Sequence, residues 1–559
     1  MKNYQSINTE EVDTPELNVA AINDNNAHPH DHLVPPYNST QRPSNLFVGT
    51  FNLVATIVGG GVLSLPIVFE KCGVAFSTLA MILSAYMTYM SLIMLCYCSR
   101  RGGGSSYGEV VRSAFGEKME EGVSWLLFVF LMFVIIGYMI LIRDIWTPLA
   151  RQVLGEDVDG DYVLLGITVL LLPLLFQRSL HALRWNCYVG SASIFVLCIA
   201  LCRGGWQHLK PPPSSSSLND DSHSDNENDI SDTIEDSFST IDYFKIPSSQ
   251  EILFSFPIVT LAFMCAFNII SIQNALSQPS RKRIQNLTQY AIGACFCLSY
   301  MFGLGGYLYA GSKTRGNILL NVPMARQEGE DEMEYYLFLL GRIGCGTTIM
   351  LATPIVALPC REALLEVVDV WFHHTHHHHV VTDHQTADDV ATTAENDKCC
   401  WAMLHRCNTS ETVQDSAITT EDEVVTEATE ILPGDDSQDS PRPKSSVLIR
   451  HDPIQRDYIF RNTLAHYGST LLITTTCYLG AVSITGVAVV WSFIGSSMAF
   501  FIAFILPCGC FIVIENAVPS VAEGGDRNDG WIRVAWAILL FSCVGAVVCT
   551  VNNTVGFGR

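Results

Sequence analysis

Apolar residues along the 559-residue chain gather into eleven windows, at roughly 46–70, 74–98, 122–142, 161–177, 185–202, 250–273, 288–310, 335–358, 463–483, 487–514 and 531–551. Most reach the roughly 20 apolar residues that a helix needs to cross a hydrocarbon core; a few are short or interrupted. Inside a bilayer the backbone must satisfy its own polar groups, which helices do segment by segment. The pattern therefore predicts an all-α polytopic membrane protein of about eleven transmembrane helices. Polar blocks divide it. Residues 1–45 read as a disordered cytoplasmic tail, 46–202 as spans 1–5, and 203–249 as a disordered non-cytoplasmic loop. Residues 250–371 hold spans 6–8, 372–455 a disordered His-rich cytoplasmic loop, and 456–559 spans 9–11. The inserts are polar stretches such as PPPSSSSLNDDSHSDNENDISDTIEDS (211–237), without the apolar content to fold.

Charge refines this picture. Only 16% of residues are charged, against about a quarter in soluble domains. The net charge of −23 comes mostly from the acidic stretches 212–242, 327–334 and 411–439, and no basic face is present to bind nucleic acid. Arg100, Arg101, Arg112 and Lys118 follow span 2, Arg178 and Arg184 follow span 4, and Arg281, Lys282 and Arg283 follow span 6. Basic loops favour the cytoplasm, which sets the N-terminus there; Lys313, Arg315 and Arg326 after span 7 run against the trend. Residues 1–45 carry no secretory signal, so the first span is expected to direct insertion. The 19 cysteines are scattered through apolar runs and read as small hydrophobes.

Two spans are interrupted. FNLVATIVGGGVLSLP (51–66) sets Gly59, Gly60 and Gly61 together in the middle of span 1, with Pro66 following; each glycine costs a helix about 1 kcal/mol relative to alanine. In span 6, FSFPIVTLAFMCAFNIISIQNAL (254–276), Pro257 lacks a backbone donor and Asn268 and Ser271 bring polar groups to membrane depth. Breaks in the first and sixth spans are expected of two five-span repeats of inverted topology. Such broken helices offer unpaired N–H groups to a carboxylate and unpaired C=O groups to a cation or amine. Broken backbone is tolerated there only beside protein or a watery cavity. The glycines have two readings: they open a binding site, in φ/ψ values that glycine reaches most easily, or they let helices pack closely.

These motifs carry a family resemblance. FNLVATIVGGGVLSLP resembles the first transmembrane helix of the amino acid/auxin permease family, which includes the sodium-coupled neutral amino acid transporters and vacuolar amino acid transporters. GYMILIRDIWTPL (137–149) resembles its third span, with Tyr138 and Asp144 in the family's spacing. FMCAFNIISIQNAL followed by SRKRIQ is similar to its sixth span and the loop after it. LATPIVALPCREAL (351–364) resembles the end of the eighth, and VVWSFIGSSMAFFIAFILP (489–507) the tenth. The resemblance follows nearly all spans in order and misses only the polar inserts. It implies a LeuT-type inverted repeat, five spans plus five plus one, that moves amino acids, neutral ones foremost, by alternating access coupled to protons or sodium. Carried onto this chain, Thr56, Gly59, Gly60, Gly61 and Val62 would meet the substrate by backbone. Phe263, Cys265 and Asn268 would close the pocket from span 6, and Tyr138 would face it from span 3. Tyr138 has a plainer reading as a packed aromatic near the interface.

The coupling ion stays open. Asn52, Thr347, Thr348 and Thr353 are candidate sodium ligands, but Ala55 stands where many sodium-coupled members have an asparagine, and Ala266 where many have histidine. Glu70, Glu251, Asp144 and His466 are the titratable candidates for protons, all toward span ends, where Arg342 also needs no special role. The tract His373, His374 and His376 to His379, with Cys399, Cys400, His405 and Cys407 beyond, could bind metal loosely. A divalent-metal carrier would need such ligands at membrane depth, where the spans have almost none. A non-transporting amino acid sensor on the same fold is the other alternative. No nucleophile–base pair appears, and RRGGGSSYGE (100–109) lacks the GK[ST] of a phosphate loop. The chain is expected not to be an enzyme and to need no cofactor beyond the ion. Its partners are the bilayer and the amino acid; plasma membrane and vacuolar or lysosomal membrane both remain open.

Overall fold

The eleven apolar windows all coincide with helix in the computed structural model. The structure describes residues 42–177 except 156, then 186–209, 241–324, 332–383, 463–517 and 529–557, together with 33 and 37. Most of the expected tail, and residues 211–240 and 384–455 of the two inserts, lie outside the described residues. The chain divides into two units, Met1–Val368 with Phe460–Arg559, and Asp369–Ile459. Of the second, residues 369–383 are helical backbone; the first is described below.

Its helices are α1 (Leu46–Ile57), α2 (Leu65–Gly102), α3 (Tyr107–Phe115), α4 (Glu117–Leu154), α5 (Gly160–Leu175) and α6 (Asn186–Leu209). Then come α7 (Ser249–Ala262), α8 (Ala266–Ala275), α9 (Arg281–Ala310), α10 (Glu332–Asp383), α11 (Thr463–Ser483), α12 (Val487–Ile494), α13 (Leu506–Ala517) and α14 (Asp529–Phe557). Among the described residues there is no strand, only a bridge between Ser44 and Leu276. Eight helical stretches are long and apolar enough to cross a bilayer, and α1 and α5 are shorter apolar helices. This is an all-α polytopic membrane protein. Helix α2 packs against both α7 and α9, α4 joins α5, α11 and α12, and α14 lies against α13. Large side chains such as Leu79, Leu170, Leu540 and Val544 remain exposed, as a lipid-facing surface requires.

Helix α2 with the turn before it runs 43 residues, Gly60–Gly102. At about 1.5 Å per residue a straight helix of that length would span about 65 Å, twice a hydrocarbon core. It is not straight. Gly73 takes φ 74° and ψ 168°, a conformation that is essentially glycine's alone. The Ser77 hydroxyl then donates to the Val68 carbonyl at 3.0 Å, although nine residues of straight helix would separate them by about 13 Å. The chain doubles back between the first two apolar windows. A strap from residues 242–245 holds the turn: the amides of Val74 and Ala75 donate to the carbonyls of Asp242 (3.4 Å) and Tyr243 (3.1 Å), and Lys245 Nζ to that of Glu70 (3.2 Å).

A second strap lies before α1. Arg42 is buried, and its Nη1 donates to the carbonyls of Gln273 (2.8 Å), Asn274 (3.0 Å) and Leu276 (3.3 Å). The C-terminal carbonyls of α8, orphaned by helix geometry, thus find a cation at the negative end of the helix dipole. Ser44 adds backbone bonds to Ala275 and Ser277. Arg42→Gln is expected to cost about 2–3 kcal/mol, the range for hydrogen bonds to a charged group. It should read out as a lower thermal midpoint and new proteolysis before residue 46, with Arg42→Lys intermediate; an unchanged midpoint would show the strap to be dispensable.

Between α12 and α13 the helix loosens into two π turns, Gly495–Ala499 and Phe501–Ile505. π turns release carbonyls from the helical ladder. Here the Tyr107 hydroxyl donates to the Ile502 carbonyl at 2.7 Å, and the Ser91 hydroxyl to that of Ala503.

Candidate functional site

Helix α1 stops at Ile57. The Val58 amide still bonds to Val54 (2.8 Å), but that of Gly59 turns to Ile57 (2.9 Å), and Gly59 is extended, φ −127° and ψ −158°. The chain resumes as a 3₁₀ helix over Gly60–Ser64. The usual i→i−4 acceptors for Gly59 and Gly60, the carbonyls of Ala55 and Thr56, lose those partners, and no backbone bond across the gap reaches the amides of Gly60 and Gly61. None of the three glycines has positive φ. That corrects the sequence-based expectation about their conformation: extended and 3₁₀ backbone is open to any residue, so glycine is needed here for room.

The partner break is shorter than the segment named from the sequence. Helix α7 tightens at its end, with Phe263 bonding to Thr260 (3.3 Å) and Met264 to Leu261 (3.1 Å). It stops before Cys265, whose carbonyl accepts from the Asn268 amide at 3.0 Å. Asn268 therefore lies in the first turn of α8, half-buried, while Phe263 and Cys265 are fully buried.

The two breaks adjoin. Among the described residues, a Cβ on Gly61 would have one neighbour within 4 Å, the Ala262 Cα at 3.7 Å, and one on Gly59 would meet only the Tyr138 hydroxyl, at 3.8 Å. A Cβ on Gly60 would press on Leu141 Cδ1 at 2.8 Å and the Tyr138 ring at 3.3 Å. Tyr138 thus borders the glycine break from α4. Val62 is fully buried, and the Thr56 hydroxyl donates to the Asn52 carbonyl at 2.8 Å.

The sequence reading missed Trp491. Its ring fills the space where Gly137 would carry a Cβ and meets Tyr138 edge-on, centroids 6.4 Å apart. It is 2% exposed, and among the described residues its indole N–H has no hydrogen-bond partner. The hydroxyls of Ser64, in the 3₁₀ turn, and Thr260, in the last turn of α7, are likewise buried without partners. A polar group left so costs about 1–3 kcal/mol, and such groups mark places where something else completes the bonding. The sequence carried no clear signal: VVWSF puts this tryptophan only five residues into the window 487–514, near the span end where tryptophan is common.

Backbone donors and acceptors at the glycine break are thus left without helical partners beside Tyr138. Residues 42–518 match the family described as transmembrane amino acid transporter protein. The chain belongs to that family. The transporter is 23% identical over 490 residues to vacuolar amino acid transporter 7 of Saccharomyces cerevisiae, covering 83% of this chain and 88% of that protein. It is 23% identical to vacuolar amino acid transporter 6 of the same yeast, covering 89% and 98%. To the putative sodium-coupled neutral amino acid transporter 11 of Danio rerio it is 23% identical, covering 57% and 65%. Its activity is amino acid transport across a membrane, and it is not an enzyme.

The transporter's ion candidates are less gathered. Asn52 is exposed. The hydroxyls of Thr347, Thr348 and Thr353 each donate to the carbonyl four residues back, on Ile343, Gly344 and Ile349. That leaves their oxygen lone pairs free for a cation, but among the described residues no hydrogen bond links them to Asn52. The titratable candidates have structural partners: Glu251 caps α7 with Ser248 and pairs with Lys245 at 3.1 Å, Asp144 accepts from Asn317 (3.4 Å), and His466 Nε2 contacts the Phe176 carbonyl at 2.9 Å. Glu70 is half-buried next to the Gly73 turn. Arg342 is buried and donates to the carbonyls of Leu319 and Val322. Among the described residues no three His, Cys, Asp or Glu side chains gather as a metal site. The side chains of His373–His379 lie outside the described residues, so loose metal binding there has no support from the structure.

Proposed function

We propose that this transporter carries neutral amino acids through the gap between the two helix breaks by alternating access, with protons as the coupling ion. The observation that carries the reading is the approach of Gly61 to Ala262, which brings the two interrupted helices together beside the glycine break. Free amides at Gly60 and Gly61 suit the carboxylate, and the released carbonyls of Ala55 and Thr56 suit the amine. The residues named at the breaks, on Tyr138 and on Trp491 are all uncharged, which favours an uncharged substrate side chain, since an unpaired buried charge is costly. For the ion, Ala55 supplies no side-chain oxygen and Asn52 is exposed, which weakens the case for sodium. The two yeast relatives that share most of this chain's length are named as vacuolar, and we take an acidic-organelle membrane, where a proton gradient is at hand, as its place.

Uptake of labelled neutral amino acids into proteoliposomes, with sodium and pH gradients imposed separately, tests the reading. A proton gradient should drive accumulation, and replacing sodium by choline should change the rate by less than about twofold, the effect expected if sodium is only background electrolyte. Steep sodium activation without any response to pH would overturn proton coupling, and no uptake under either gradient would favour a sensor.

A further inference from the structure

Apart from the helix breaks, an open groove of about 410 Å³ runs between α2 and α9, walled by Tyr86 and Tyr89 of α2 and by Gln289, Gly293 and Phe296 of α9. The two helices are antiparallel there. Arg100, near the end of α2, engages the carbonyl of Pro279, just before α9 begins, whereas Cβ atoms on Gly303 and Gly306 would press on Phe69 and Pro66, before the Gly73 turn. Tyr89 and Gln289 therefore stand level, each about 15 Å along its helix from the Arg100 end. Ile82 and Phe296 close the groove about 10 Å further on. Ile82, Tyr86, Gln289 and Gly293 are exposed, so in a bilayer the groove opens to lipid, below the head-group level that Arg281, Lys282 and Arg283 mark.

The groove is neither charged nor wholly apolar. Gln289 lies inside the apolar window 288–310, and among the described residues neither its carboxamide nor the hydroxyls of Tyr86 and Tyr89 make a hydrogen bond. Hydrocarbon supplies no partner, so these groups stay unsatisfied unless a ligand brings one. Gly293 weakens its helix yet lets nothing of the protein approach: among the described residues a Cβ there would meet no atom within 4 Å. Its missing side chain leaves a flat floor level with Tyr86 and beside the Phe296 ring, which itself stacks on Tyr300 with planes at 15°. An acyl chain carries no hydrogen-bonding group along its length, and a phospholipid head group belongs higher, with Arg281–Arg283. A rigid, flat, apolar molecule with one hydroxyl at its end meets all of these conditions, and the groove's volume lies within the roughly 300–1,000 Å³ of small-molecule sites. We propose that this groove binds a membrane sterol, its hydroxyl between Gln289 and Tyr89 and its fused rings on Gly293.

The test uses the purified full-length protein in detergent, photolabelled with a diazirine analogue of cholesterol. The competitors are cholesterol, its 3α-hydroxy epimer and dioctanoyl phosphatidylcholine. Label should enter residues 82–89 and 289–296 saturably, and cholesterol should compete at least about tenfold better than either other lipid, since one hydrogen bond in an apolar setting is worth about that ratio. Gly293→Leu, whose side chain would fill the floor, should weaken labelling at least about tenfold, and Gln289→Leu should erase the preference over the epimer. Both variants should keep the sterol-free thermal midpoint and uptake in sterol-free liposomes. Equal competition by phosphatidylcholine would reduce the groove to an acyl-chain crevice, and equal competition by the epimer would remove the hydroxyl from recognition. A disulfide-linked dimer of Gly293→Cys that added sterol does not suppress would give the face to a second copy of the chain. Each of these overturns the proposal, as does unaltered labelling in a well-folded Gly293→Leu. Because labelling is read without substrate or gradient, its failure is distinct from a failure of the proposed transport mechanism.

Discussion

Gly61→Val should abolish transport while the protein still folds. A Cβ at this position finds ordinary contact distance to Ala262 and nothing else within 4 Å, so the protein has room for the first carbon. The γ-methyls of valine would extend about 1.5 Å further, into the space where the released backbone groups must meet the substrate. A displacement of about 1 Å in a positioned ligand costs about a hundredfold, and binding and transport should fall at least that far. Alanine, which adds only the tolerated carbon, should cost less than tenfold by the same reasoning. Purified yield, thermal midpoint and substrate affinity measured side by side for Gly61→Ala and Gly61→Val decide it. A folded valine variant that binds substrate normally would remove the gap from the mechanism. Gly60 gives the contrasting case, because its Cβ would press on Leu141 and Tyr138, and a substitution there should perturb packing and binding together.

Gly73→Ala should be strongly destabilising, because backbone strain and steric conflict act together there. The φ of 74° with ψ of 168° costs a residue with a side chain about 1–3 kcal/mol. Its Cβ would also stand 2.9 Å from Lys245 Cβ, 3.1 Å from the Asp242 carbonyl oxygen and 3.1 Å from the Lys245 amide. Two of those three neighbours are backbone and cannot swing aside, so strain and displacement of the 242–245 strap add. The expected result is a thermal midpoint lower by several degrees and poor yield, at a residue away from the substrate gap. As a control, Gly116 also has positive φ, 88°, but nothing lies within 4 Å of its Cβ position, so alanine there tests backbone strain alone and should cost less. Equal effects at the two positions would show that the strap contributes nothing.

The spans were legible because membrane insertion writes them in composition. A window such as 122–142 admits only a helix once water is gone, and α4 covers it. The glycine break was legible for the same reason, since three glycines are conspicuous in an otherwise uniform apolar run; Pro257 lies inside α7, and the span 6 break comes only after Ala262. What could not be read was adjacency. The meeting of Gly61 with Ala262, the packing of Gly137 on Trp491 and the burial of Arg42 against the end of α8 join residues hundreds of positions apart, and periodicity carries no such information. Local geometry was misjudged where glycine has two uses: the role assigned to Gly59–Gly61 through φ belongs to Gly73, which the sequence shows only as one residue after KC. The threonines of α10 had been chosen for their hydroxyls, and in the structure each is engaged with its own helix, as threonine at membrane depth commonly is.

The two π turns between α12 and α13 bear on chain length. A π turn is in effect an α-helix carrying one surplus residue, so deleting a single position within Gly495–Ala499 would restore regular hydrogen bonding. It would also rotate everything before it by about 100° relative to everything after. Trp491 would swing off Tyr138, while the carbonyls that Ser91 and Tyr107 engage lie in the second π turn and would keep their partners. The surplus residues therefore act as a phase setting between the two halves of one span: one half sets an indole against Tyr138 beside the glycine break, while the other keeps its buried face against α2. Insertions and deletions in this stretch, which would leave its hydropathy almost unchanged, would reset which side chain meets Tyr138.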